Sequence, residues 1–74
     1  MNAAGESDRA VEALLRAEEL EPNNPQVPYA RATILVRTGR LLDARIALSR
    51  ALELNPNFQE ARRLLDELTK NGSP

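Results

Sequence analysis

Two adjacent carboxylate pairs, Glu18-Glu19 and Asp66-Glu67, are the residues of this 74-residue chain best suited by type to acid–base chemistry or cation binding. On a helix, neighbouring residues diverge by about 100°, so neither pair converges on one site. Ser7, Ser49 and Thr69 supply hydroxyls, but the chain has no His to activate them. That absence also removes the usual general base and the commonest metal ligand. With no Cys there is no thiol nucleophile, thiolate metal site or disulfide. The three glycines are isolated, so no phosphate-cradling loop exists. An enzyme is therefore not expected, nor a cofactor or a metal. The side chains that remain suit recognition. Tyr29, Thr33 and Arg37 are four apart and share one helical face, and Arg63 and Glu67 repeat that spacing.

The elements that must position these residues are helical. Leu, Ala, Arg and Glu dominate, all strong helix formers. Ten basic and 11 acidic residues leave a net charge of −1. Although nine of the basic residues are Arg, the acids are interspersed among them, so neither DNA nor RNA is an expected partner. No apolar run approaches the roughly 20 residues of a membrane span, and none follows Met1 as a leader would. The absence of Cys fits any compartment, and a cytoplasmic location is the expectation. A chain of this size makes one small domain that buries only about 60% of its unfolded surface.

Three breaks divide the chain: Glu21-Pro22-Asn23-Asn24-Pro25, Thr38-Gly39-Arg40 and Asn55-Pro56-Asn57. Proline removes an amide donor and disfavours helix in the residue before it, while Gly39 can take a left-handed cap. Four helices follow. The first spans about 7–20, capped by Ser7 or Asp8, with Ala10, Val11, Leu14, Ala17 and Leu20 as its stripe. The second spans 25–38, with Asn24 as N-cap and Val27, Ala30, Ile34 and Leu35 inward. The third spans 41–54, burying Ala44, Ala47, Leu48 and Ala51. The fourth spans 58–69, using Ala61, Leu64, Leu65 and Leu68. Residues 1–6 and 71–74 are expected to be flexible.

Sliding the chain on itself by 34 positions places Pro22-Asn23 on Pro56-Asn57 and gives nine identities in the 17 positions from Asp8 to Asn24. Among them are Ala10/Ala44, Ala13/Ala47, Leu14/Leu48 and Ala17/Ala51. A 34-residue period of paired helices resembles the tetratricopeptide repeat (TPR). Residues 25–58 resemble one complete repeat, closing in Ala51-Leu52-Glu53-Leu54-Asn55-Pro56. Residues 7–24 resemble the second helix of a preceding repeat, and 59–70 a capping helix, within one domain over 7–70. The departures are Pro28 and Arg31, where the family pattern has an aromatic and a leucine. Arg31 is expected to pack its stem and reach water with its head.

The resemblance implies an all-α fold of four antiparallel helices, a solenoid fragment. It also implies protein–protein interaction, with a peptide or helix of a partner held on the concave face. The residues matching that face are Gln26, Tyr29, Thr33, Val36 and Arg37, with Arg63 and Glu67 as the opposite wall. Fewer than three repeats suggests a piece of a larger protein or support by self-association. The first helix lacks its usual partner, so Val11 or Leu15 should be unusually exposed, and the alternative reading is a homodimer formed through that helix.

Overall fold

The computed structural model describes residues 3–72, with side chains from 8–70, as α1 (Ala3–Leu20), α2 (Gln26–Arg37), α3 (Leu41–Leu54) and α4 (Gln59–Gly72). Among the described residues there is no strand. α2 lies between α1 and α3, and α4 packs on α3. The fold is all-α, as the sequence predicts.

The two helix-ending segments, one repeat apart, are built alike. Glu21 N donates to Ala17 O at 2.7 Å, and Asn55 N to Ala51 O at 2.9 Å. Asn24 N then donates to Glu21 O at 3.1 Å, and Phe58 N to Asn55 O at 3.0 Å. Each pair of bonds is related by the 34-residue shift. The repeat is therefore a property of the backbone as well as of the sequence. α1 and α3 hold equivalent places.

Local chemistry sets the boundaries. α2 is assigned from Gln26, but Pro25 already has helical dihedrals (φ −67°, ψ −18°). Asn24 Oδ1 accepts the Gln26 amide at 3.0 Å, which is the work of a cap. Pro28 is fully buried in the first turn of α2. Its missing N–H costs little there, because first-turn amides have no intrahelical acceptor. At the equivalent position Arg62 N donates to Phe58 O at 3.1 Å, whereas Asn24 O accepts from Val27 N at 3.2 Å instead.

The α2–α3 turn is a Schellman motif. Arg40 N donates to Leu35 O at 2.8 Å and Gly39 N to Val36 O at 3.1 Å, with Gly39 at φ +81°. A side chain would be strained in that conformation.

Helix lengths differ from expectation at the ends. α1 begins at Ala3, so Ser7 and Asp8 lie inside the helix and do not cap it. Ala3 and Ala4 are the best helix formers, and extending an existing helix costs far less than starting one. α4 continues to Gly72, with Lys70 in its last turn complementing the helix dipole. Of the segments expected to be flexible, Met1, Asn2, Ser73 and Pro74 lie outside the described residues.

The core follows α3. Ala44, Ala47, Leu48 and Ala51 are all 0% exposed and cluster with Ala32 and Leu35 of α2, with Phe58, and with Ala61 and Leu68 of α4. The small alanines let the helix backbones approach, and Leu48 fills the space between them. α1 contributes less: Ala10, Val11, Leu14 and Ala17 are only half-buried. Leu20, expected on the inward stripe, is 78% exposed at the last position of α1.

Arg31 also departs from expectation. Its head turns to α1 rather than out to solvent, and the side chain is 13% exposed. Nη2 donates to both carboxylate oxygens of Glu18, at 2.9 and 3.2 Å, and ties α2 to α1. The side chains are 13% and 21% exposed, so desolvation demands a partner for each charge.

Candidate functional site

The face expected to recognise a partner is carried by α2. Gln26, Tyr29, Thr33 and Arg37 follow one another at three- and four-residue steps, which aligns them along the helix. Gln26 and Arg37 are exposed, while Tyr29, Thr33 and Val36 are half-buried. Tyr29 and Val36 pack against the core cluster. The Tyr29 ring lies 4.9 Å from that of Phe58, tilted by 42°, within the range of favourable aromatic pairs. Tyr29 is thus a packing residue with one open edge. Phe58 immediately precedes α4, so this contact joins the α2 face to the root of α4. The Thr33 hydroxyl donates to Ala30 O at 2.7 Å, so its donor is engaged within the helix.

Arg63 and Glu67 are exposed on α4. The shallow concavity that contains them is lined by Gln59, Arg62, Arg63, Asp66, Glu67 and Lys70, all from α4. No α2 side chain lines it. The expected set therefore divides into an α2 strip and an α4 strip, joined at their base by Tyr29 and Phe58.

Two cations can contribute to recognition. Among the described residues, neither Arg37 nor Arg63 has an ion-pair or hydrogen-bond partner, whereas Arg31, Arg40 and Arg50 are paired with Glu18, Asp8 and Glu53. Arg37 also sits in the last turn of α2, where the helix dipole favours a positive charge. An exposed guanidinium without a partner leaves its fork open to a carboxylate. Among the described residues no group of three or more His, Cys, Asp or Glu side chains is placed to hold a metal ion. No helix is long and apolar enough to cross a membrane.

Sequence reasoning missed three features of the surface. The Arg31–Glu18 pair joins residues 13 apart, and no helical spacing signals that contact. The role of Phe58 depends on the turn that folds it back on Tyr29. Leu42 and Ile46, 72% and 66% exposed, form an apolar pair on the outer side of α3. A signal for them existed, since the repeat shift places them opposite the polar Asp8 and Glu12. Of the two α1 residues expected to be open, Leu15 is 44% exposed, while Val11 packs against the core.

A family model described as tetratricopeptide repeat matches residues 1–68. None of the curated proteins compared with the chain matches it.

Proposed function

The chain belongs to the tetratricopeptide repeat family, and from that premise we propose that it holds an acidic peptide or helix of a partner protein along the α2 strip, with the α4 strip as its second wall. Family membership indicates a protein–protein interaction module. The observation that carries the finer reading is the pairing of a fixed aromatic with an open cation on one strip. Tyr29 is held by Phe58, so it offers contact area with little further loss of side-chain freedom. Arg37, two turns along, offers an unpaired fork to a carboxylate. Gln26 and Thr33 extend the strip, Val36 backs it, and Arg63 and Glu67 read the second side.

The test is selection from a displayed peptide library on the wild-type protein. Selected peptides should be rich in Asp and Glu. Replacing both Arg37 and Arg63 by Ala should weaken their binding by about 2 kcal/mol or more if the cations form the hot spot. Both residues are exposed, so the melting temperature should fall by no more than the few degrees that losing Arg37's interaction with the helix dipole costs. Tyr29→Phe, which keeps the ring on Phe58, separates the hydroxyl from the packing. Peptides that bind the double variant as well as the wild type would remove the α2 strip from consideration.

A second reading, self-association through α1, is favoured by the exposure of Leu15. It requires a sedimentation coefficient that rises with concentration and stops rising in Leu15→Glu.

A further inference from the structure

On its outer side α3 departs from α1. Where α1 has Asp8 and Glu12, α3 has Leu42 and Ile46, 72% and 66% exposed. The polar pair on α1 shows that the fold does not need apolar residues there, and neither Leu42 nor Ile46 packs against the core cluster. Leaving them in water forgoes the gain of burying two large apolar side chains. Two charges flank them. Asp43, next to Leu42, is exposed and has no ion-pair or side-chain hydrogen-bond partner among the described residues. Arg50, one turn past Ile46, reaches only Glu53 of its own helix, at 3.3 Å, with both side chains largely in water. Beside Arg50 a cavity of about 400 Å³ opens between the ends of α1 and α3, lined by Leu15, Glu18, Glu19, Pro22, Arg50 and Leu54.

We propose that this outer face of α3 is a contact between two copies of the chain, paired antiparallel about a twofold axis beside Ile46. A twofold contact uses the same patch on both copies, so the patch must complement itself. This one does so in charge and in shape. Asp43 and Arg50 are seven residues apart, which places them on one edge of the helix, about 20° apart around it. They lie on either side of Ile46 along the helix. An antiparallel partner therefore sets Asp43 of each copy against Arg50 of the other, giving two ion pairs across the axis. The same pairing lays Ile46 on its own counterpart. It also brings Leu42 over the last turns of the partner's α3, at the mouth of the cavity beside Leu15 and Leu54.

Charge selects the occupant. Asp43 and Glu53 balance Arg45 and Arg50 on the exposed side of α3, so a strongly acidic or strongly basic partner gains nothing there. The reversed copy of the face matches it. One helix laid on one helix falls at the small end of specific interfaces, below about 1,200 Å², so the dimer is weak and its population follows concentration. The α2 strip stays free in it, because α2 clusters with Ala44, Ala47, Leu48 and Ala51 on the inner side of α3.

Sedimentation equilibrium of the full chain from about 10 μM to 1 mM covers the range in which so small an interface fills. The expected result is a reversible equilibrium between monomer and dimer. Replacing Leu42 and Ile46 together by Gln should raise the dissociation constant at least about tenfold. The helical circular dichroism spectrum should be unchanged, since both side chains are exposed. Charge reversal tests the register. Asp43→Arg alone and Arg50→Asp alone each set like charges across the axis, and each should weaken the dimer about threefold or more. The two reversals in one chain restore opposite pairs and should recover the affinity. The proposal fails if the chain stays monomeric up to about 1 mM. It fails if the dimer survives loss of Leu42 and Ile46, which would move the contact to α1. It also fails if the double reversal binds no better than either single one, since Asp43 and Arg50 would then not meet.

Discussion

The same substitution made at two places one repeat apart should have opposite consequences. Ala47 and Ala13 are equivalent by the 34-residue shift, each in the middle of an alanine-rich helix face. Ala47 is 0% exposed within the core cluster, whereas Ala13 is exposed. Leucine at 47 must displace its neighbours or force strained rotamers, at a cost of about 1–3 kcal/mol. For a domain of this size each kcal/mol shifts the melting temperature by roughly 4–8 °C, so Ala47→Leu should melt about 5–20 °C lower. Leucine at 13 meets no neighbour, and its effect should stay within about 0.5 kcal/mol. Because both variants place the same residue in a helix, differences of helix propensity cancel between them. Thermal melts followed at the helical circular dichroism band measure both. Equal destabilisation by the two would mean that α1 is as covered as α3, and no effect of Ala47→Leu would mean that the core is misplaced.

Two further outcomes follow from the turn and the ion pair. Gly39→Ala adds a methyl group that meets nothing within 4 Å, so its cost is that of a side chain at φ +81° alone. Urea unfolding should show a loss of about 1–2 kcal/mol with an unchanged slope, and no loss would contradict the left-handed cap. For Arg31 and Glu18, a double-mutant cycle with Arg31→Met and Glu18→Gln should give a coupling of about 1.5–3 kcal/mol. Replacing both by leucine should restore much of that stability, since a covered charge pair often does no better than apolar packing. Additive single effects would show that the two charges do not meet.

The helical class and the inward face of α3 were legible because they rest on local chemistry. Alanine and leucine at helical spacing report burial wherever both flanks are occupied, and Pro22, Gly39 and Pro56 report the breaks. The same pattern misled at Leu20, because periodicity carries no information about where a neighbouring helix ends. Ala13 and Ala47, equivalent by the repeat shift, differ in exposure because α3 has α2 on one side and α4 on the other while α1 packs chiefly on α2, a difference that spacing within either helix does not carry. Arg31 was legible as an oddity but not as a pair, because its partner lies on another helix. The α2 and α4 strips were each readable from spacing. Their separation was not, since it depends on how α4 is set against α3.

The polar residues of α4 have a consequence for assembly. A repeat with two adhesive ends adds to itself without limit, because each added unit exposes a fresh copy of the surface that received it, and such head-to-tail contacts grow into open filaments. Here the open side of α1 carries Arg9, Glu12, Arg16 and Glu19 around Ala13 and Leu15, and the open side of α4 carries Arg62, Arg63, Asp66, Glu67 and Lys70. Both ends present charges that a neighbouring helix would have to strip of water. Head-to-tail growth is therefore disfavoured at either end, so the protein should remain dispersed at concentrations where a repeat with apolar ends would polymerise.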